Sequence, residues 1–411
     1  MVAGRILLNR WYNHLTIYSF LWTTCLLLYS LHLINYYEIS QEAWFYIVVS
    51  WVMLFLSSFT VIIFFKTLHF PSNILQTTNG HIDYNSFNIG LLRKIIIVLS
   101  LLSAIGVVFT YLTMMRLIGG IENLFVLAVK LYSIRLTKDF EAPPYLTSLP
   151  IASACLAGIY IIVRRKIDFV AILPFLLLAA YTLIVMSRGE IIITGAIFFT
   201  TIFLTPHKRF IGNKIMPGIL SIVILLAAVF TIISSVRHTT MYFKGETQEM
   251  QYIRNTMPFS PAIYYYLSAP PVGFSEYLRH EREKVPPGSY TFRSIFNVMA
   301  KFGLTETSPL HSSFVTTPEL INTGTYLREI YTDFGPLGIL LFPYALGALL
   351  SILAIKISQR PATKYIVLTA HLYAIIWLSW DANATRLGQW TVSLVTTLII
   401  ACFLDSRQKD L

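Results

Sequence analysis

The sequence predicts an all-α polytopic membrane protein, and three observations carry that prediction. First, only 12% of the 411 residues are charged, while 55% are hydrophobic and the mean hydropathy is +0.65; a soluble chain carries about a quarter charged residues. Second, the apolar residues come in continuous charge-free runs without the alternation of strands. Lipid offers the backbone no partners, so such runs cross as helices, at roughly 20 residues for each hydrocarbon core. Third, one long polar interval, Arg237 to Asp333, stands between apolar runs that end at Val236 and resume at Phe334, and it holds nine of the chain's 31 Lys and Arg residues.

Taken in order, the uncharged segments are 11–37, 43–65, 95–115, 142–163, 169–187, 191–207, 215–236, 334–355, 365–380 and 387–404. These are ten candidate spans. They divide the chain into residues 1–236 with seven spans, a large loop domain 237–333, and residues 334–411 with three spans and a C-terminal tail. The first span follows Arg5 and Arg10 but is long and has no clear small-x-small cleavage site, so it is expected to be a retained signal anchor. The loop from Lys66 to Lys94 is polar, with turn signals at Pro71, Asn79-Gly80 and Asn85, and its charges form no cluster. An interfacial amphipathic helix is expected over 113–140: Leu117, Ile121, Leu124, Ala128 and Leu131 recur at helical spacing, with Arg116, Asn123, Lys130 and Thr137 on another face. Pro143-Pro144 stops it and opens the fourth span.

Orientation follows from the basic residues, which concentrate in cytoplasmic loops. Arg5, Arg10, Lys66, Arg93, Lys94, Arg164–Lys166, Lys208, Arg209, Lys214, Lys356, Arg360, Lys364, Arg407 and Lys409 fall on one set of alternate loops, opposed only by Asp83, Asp168, Asp405 and Asp410. The formal charge of +11 is therefore topological and gives no reason to expect a nucleic-acid partner. Both termini are expected in the cytoplasm and the long loop outside. Cys25, Cys155 and Cys402 lie within apolar runs, so the loop domain is held by packing rather than disulfides, and no Cys/His spacing suggests a metal.

Several polar positions stand out. Ser187 to Ile192 (SRGEII) joins two spans with almost no loop, and a charge near hydrocarbon costs roughly 2.5 to 3.5 kcal/mol, so Arg188 and Glu190 form either a local pair or a functional one facing a polar cavity. Arg237 ends a span on the side that the charge bias disfavours, as a snorkelling side chain or a ligand contact. Tyr264, Tyr265 and Tyr266 are interface anchors or a platform for sugar rings. Asp139-x-Glu141 reads as solvated carboxylates before a weak metal pair, and Glu281–Lys284 as a solvated face. Asp381 and Arg386 form an outward charge pair in a short turn, and the sequon at Asn383 lies too close to the membrane for glycosylation.

From about Tyr181 to Leu350 the chain resembles the oligosaccharide repeat-unit polymerases, the Wzy-type enzymes of bacterial O-antigen and capsule synthesis. Four blocks carry the resemblance: SRGEII; SPAIYYYLSAP (Ser260 to Pro270) followed by Phe274; YTFRSIFNVMAKFGL (Tyr290 to Leu304); and NTGTYLREIYTDFGPLG (Asn322 to Gly338) followed by Leu346-Gly347. The resemblance implies a multi-spanning, GT-C-like glycosyltransferase of the bacterial inner membrane that needs no metal or other cofactor. Its donor and acceptor would be undecaprenyl-pyrophosphate-linked oligosaccharides, and a chain-length regulator protein is a candidate partner. Such an enzyme transfers the growing glycan onto a fresh lipid-linked repeat unit.

That chemistry needs cations for the departing pyrophosphate and a base for the attacking hydroxyl. Arg188, Arg237 and Arg328 are the candidate phosphate ligands, since a guanidinium fork binds phosphate oxygens bidentately. Tyr264, Tyr265 and Tyr290 are candidate sugar contacts, and Glu190, Asp333, Glu329 and His311 candidate bases. An O-antigen ligase-type transferase and a non-enzymatic flippase of lipid-linked oligosaccharide remain open as alternatives.

Overall fold

The computed structural model describes residues 2–8, 11–67, 88–123, 144–205, 215–239, 255, 261–280, 284–308, 313–317 and 320–407. Helix accounts for 81% of these, and the strands among them are one short antiparallel hairpin, Val315–Thr316 against Leu320–Ile321. Six helices are long and apolar enough to cross a membrane: Gln41–Thr67, Ile89–Ile118, Tyr145–Arg164, Met216–Ser234, Thr325–Gln359 and Gly388–Arg407. Phe169–Val185, Gly189–Leu204 and Thr363–Leu378 are apolar but shorter, and His14–Ser30 has 17 residues. Each uncharged run thus contains a helix, and six of these meet the length of a full crossing.

Local chemistry sets most boundaries. Asn13 accepts from Thr16 N at 2.8 Å, Asn88 from Leu91 N at 2.8 Å and Asp168 from Ala171 N at 3.2 Å, each satisfying an amide that a helix start leaves open. Asp405 does the same from another helix, taking Thr363 N at 2.9 Å and Lys364 N at 3.0 Å. The helix of the first candidate span, His14–Ser30, stops short of the expected 37. His32 turns the chain with φ +50, and the Tyr264 hydroxyl donates to Leu28 O at 2.7 Å. The first residues expected in the 113–140 helix belong to Ile89–Ile118, which Gly119 ends in the left-handed conformation (φ +82); 124–140 lie outside the described residues, as do Asp139, Glu141 and the loop 68–87.

The chain forms two compact units. One contains residues 77–242, 356–374 and 388–411 and is built around Pro144–Arg164, 94% of whose apolar window is buried inside the protein. Small residues allow this. A Cβ on Gly106 would sit 2.7 Å from Leu146 Cβ, and one on Gly158 would sit 3.1 Å from Thr201 Cβ. Ser100 and Ser153 hydroxyls meet at 3.1 Å. Where lipid is as apolar as leucine, close backbone approach and hydroxyl contacts supply the association.

The other unit contains residues 1–76, 243–355 and 375–387. His14 Nε2 lies 2.9 Å from Ser58 Oγ, to which Ser351 Oγ donates at 2.9 Å. The Tyr18 hydroxyl meets both Ser50 and Tyr326 at 3.1 Å, and Trp22 Nε1 donates to Ser379 Oγ at 3.0 Å. The helix expected from Phe334 starts at Thr325 and bends at Gly335 (φ +61, ψ −152). Pro336 then opens the next turn as a helix-initiating residue, and Gly338 lets the chain close up, since a Cβ there would meet Ile330 O at 2.8 Å.

Candidate functional site

The short helical arm before Gly335 presents two rows of polar side chains, Arg328 with Thr332 and Glu329 with Asp333, because residues four apart share a face. Its entry is tight. Thr325 holds φ +63, a left-handed conformation that a β-branched residue adopts only under constraint. Tyr326 N donates to Ser379 O at 2.9 Å. A Cβ on Gly324 would sit 2.6 Å from Arg328 Cδ, and one on Gly273 would sit 2.4 Å from Thr323 O. The two glycines let Pro270–Arg279 press against the backbone that leads into Arg328.

Every charged side chain on this arm is buried and held. Arg328, 1% exposed, donates through Nη2 to Ser313 O at 2.7 Å and Ser313 Oγ at 2.8 Å, and its guanidinium lies 4.6 Å from the Tyr277 ring centroid. Glu329 forms an ion pair with Arg386 and accepts from Asn383 N at 2.7 Å. Asp333 accepts from Tyr290 N at 3.0 Å and Thr291 N at 2.5 Å. Thr385 Oγ1 donates to Thr291 O at 2.6 Å, which joins the 383–386 turn to the segment before the Arg293–Lys301 helix. The arm, the turn and that helix thus form one polar cluster within this unit.

Some buried polar atoms in the cluster have no hydrogen-bond partner among the described residues, unambiguous donors among them. Arg293 Nε and Asn383 Nδ2 are buried donors with no hydrogen-bond acceptor among the described residues, although buried donors are almost always paired. Burial, and then the neighbouring Arg386 guanidinium, push the Arg293 pKa down to about 10, so its charge is kept there at a cost. An arrangement of cations with open donors is suited to oxygen-rich anions.

The other expected residues are distributed as follows. Arg188 and Glu190 belong to the unit built around Pro144–Arg164. Glu190, 3% exposed, accepts from Ser187 Oγ. Arg188 Nη1 donates to Ser234 Oγ at 3.3 Å, with its guanidinium 5.7 Å from the Phe230 ring centroid. Arg237 lies in the Met216–Thr239 helix of the same unit, but its side chain is outside the described residues, as are His311, Arg282 and most of the Glu281–Lys284 run.

The tyrosines lie inside the unit. Tyr264, Tyr265 and Tyr290 are buried. Tyr265 meets Thr317 Oγ1 at 2.8 Å, and Tyr266 donates to Asp381 at 2.8 Å. Through these bonds the tyrosines brace the unit. Arg293 was not singled out from the sequence, and Arg386, expected as an outward charge beside Asp381, is buried against Glu329 while Asp381 accepts from Tyr266. Asn383 is fully buried, in keeping with an unused sequon.

Comparison of this chain with protein-family models, with curated proteins and with solved structures finds no match in any of the three.

Proposed function

We propose that the chain is a membrane glycosyltransferase that polymerises undecaprenyl-pyrophosphate-linked oligosaccharide repeat units on the outer face of a bacterial inner membrane. It would cross the membrane ten times, with both termini in the cytoplasm. The observation that carries this reading is the cluster of buried Arg328, Arg386, Glu329 and Asp333 with the half-buried Arg293 beside them, in which Arg293 Nε and Asn383 Nδ2 have no acceptor among the described residues. Cleavage of a glycosyl pyrophosphate develops negative charge on the leaving oxygen, and preorganised cations in a water-poor site stabilise it.

In this reading Arg293 and Arg386 receive phosphate oxygens, with Asn383 Nδ2 as a neutral donor. Arg328 holds the geometry, since it is committed to Ser313 and Tyr277. Asp333 acts first as a clamp on Tyr290 N and Thr291 N, and second as a candidate base through its remaining lone pairs. A chain-length regulator protein is the expected partner.

Surface-glycan electrophoresis of a deletion strain tests the reading. A polymerase defect leaves a single repeat unit attached to the lipid core, because ligation continues while elongation stops. Loss of all attached glycan would indicate the ligase or flippase alternatives, and an unchanged ladder would remove the glycan reading altogether.

A further inference from the structure

The Arg293–Lys301 helix has no buried residue, which is unusual for an element that packs on the rest of its unit. Its sequence RSIFNVMAK sorts cleanly at helical spacing. Ile295, Val298 and Met299, with Phe292 before it and Phe302 and Leu304 after, make one apolar face, and all six are between 37% and 75% exposed. Arg293, Asn297 and Ala300 make another, and the helix packs on the Ala384–Arg386 turn. Soluble surfaces rarely leave so contiguous an apolar stripe open.

What covers it is indicated by its neighbour. Phe292 and Phe334 rings lie 6.5 Å apart, and both converge on Gly288, where a Cβ would sit 3.2 Å from Phe292 and 3.4 Å from Phe334. Phe334 begins a stripe with Leu337 and Leu341, spaced along one face of the membrane-crossing helix, and Leu337 and Leu341 are 65% and 63% exposed. Side chains so exposed on a span of mean hydropathy 2.2 face lipid, so the apolar face of the short helix continues a lipid-facing surface. Charge agrees: Arg293 and Lys301 are basic, and no acidic residue occurs from Tyr290 to Thr305, which suits lipid headgroups.

We propose that Phe292–Leu304 is a membrane-surface anchor whose apolar face enters the acyl boundary of the leaflet in which Phe334 begins its span. The occupant is bilayer lipid. The anchor sets the depth of Arg293, on the opposite side of the same helix, at the level where lipid phosphates lie, and it holds whatever reaction the protein carries out.

The test uses the full chain in lipid nanodiscs, with Cys402→Ser removing the exposed thiol while Cys25 and Cys155 stay buried. Ile295→Cys, Met299→Cys, Phe302→Cys and, as the opposite-face control, Lys301→Cys each receive an environment-sensitive NBD label. The proposal expects blue-shifted emission at 295, 299 and 302 that brominated phosphatidylcholine quenches and aqueous iodide does not, with the reverse at 301. Iodide access at 295, 299 and 302 would overturn it. Protection from both quenchers would overturn it too, because protein, either a second copy or a partner, would then cover the face. Three independent positions keep the result readable if one variant fails to assemble, and none of the readouts depends on glycan synthesis.

Discussion

The two units solve the burial of polar groups in opposite ways. Around Pro144–Arg164 most of the buried polar atoms are hydroxyls that bond to helix carbonyls or to one another, such as Ser100 with Ser153, glycines bring backbones together, and the buried Glu190 carboxylate is met by a hydroxyl, that of Ser187. In the unit containing Glu329 the polar atoms include full charges, joined in a network with turn and loop amides. The first arrangement is forgiving, because each hydroxyl has its own helix as a partner. The second is not, because a buried charge that loses its partner has nowhere to go.

The largest effect should follow from splitting the ion pair. Glu329→Gln leaves Arg386 uncompensated and should destabilise the protein by about 3 to 5 kcal/mol, whereas Glu329→Leu with Arg386→Met should recover much of that loss. Detergent-solubilised thermal unfolding of the single and double variants measures the difference. If the single variant unfolds like the parent, the cluster is solvated and the contrast between the units disappears.

Next comes the separation of stability from activity at Arg293. Arg293→Met removes a charge that burial and Arg386 disfavour, so it should raise stability by about 0.5 to 2 kcal/mol. Under the proposed function it should also slow chain elongation roughly 10- to 100-fold, by loss of a charge-assisted phosphate contact. Arg293→Lys should rescue elongation only in part, because a point charge replaces a fork. Glycan length and melting temperature at matched membrane abundance report both. A variant that is more stable and equally active would make Arg293 a structural relic. Arg188→Ala, measured alongside, asks whether the hydroxyl-rich unit contributes a phosphate contact of its own.

In that unit, Gly106→Val places carbon 2.7 Å from Leu146 Cβ and near its backbone, and should cost about 1 to 3 kcal/mol through overpacking. The smallest change should come from Ser153→Ala, at about 0.6 kcal/mol, the usual worth of an interhelical hydroxyl contact in a membrane. A loss at Ser153 as large as that at Glu329 would erase the distinction drawn between the two units.

The helical fold class and the position of nearly every apolar helix follow from composition and run length alone. In lipid an apolar run has only helix as a way to satisfy its amides, so that inference needs no tertiary information. The bend at Gly335-Pro336 depends on φ freedom and a missing donor in adjacent residues, yet reading the run as one span from Phe334 did not anticipate it. The helix start at Thr325 was not legible, because reading between charges ends a span at Asp333 while a helix continues through charges that are paired. Equally hidden were the partners. Glu329 meets Arg386 across 57 residues, Asp333 meets Tyr290 and Thr291 across 43 and 42, and the tyrosines turn inward. Pairings at that separation depend on where the chain returns after several helices, and only packing in three dimensions decides which charge arrives beside which.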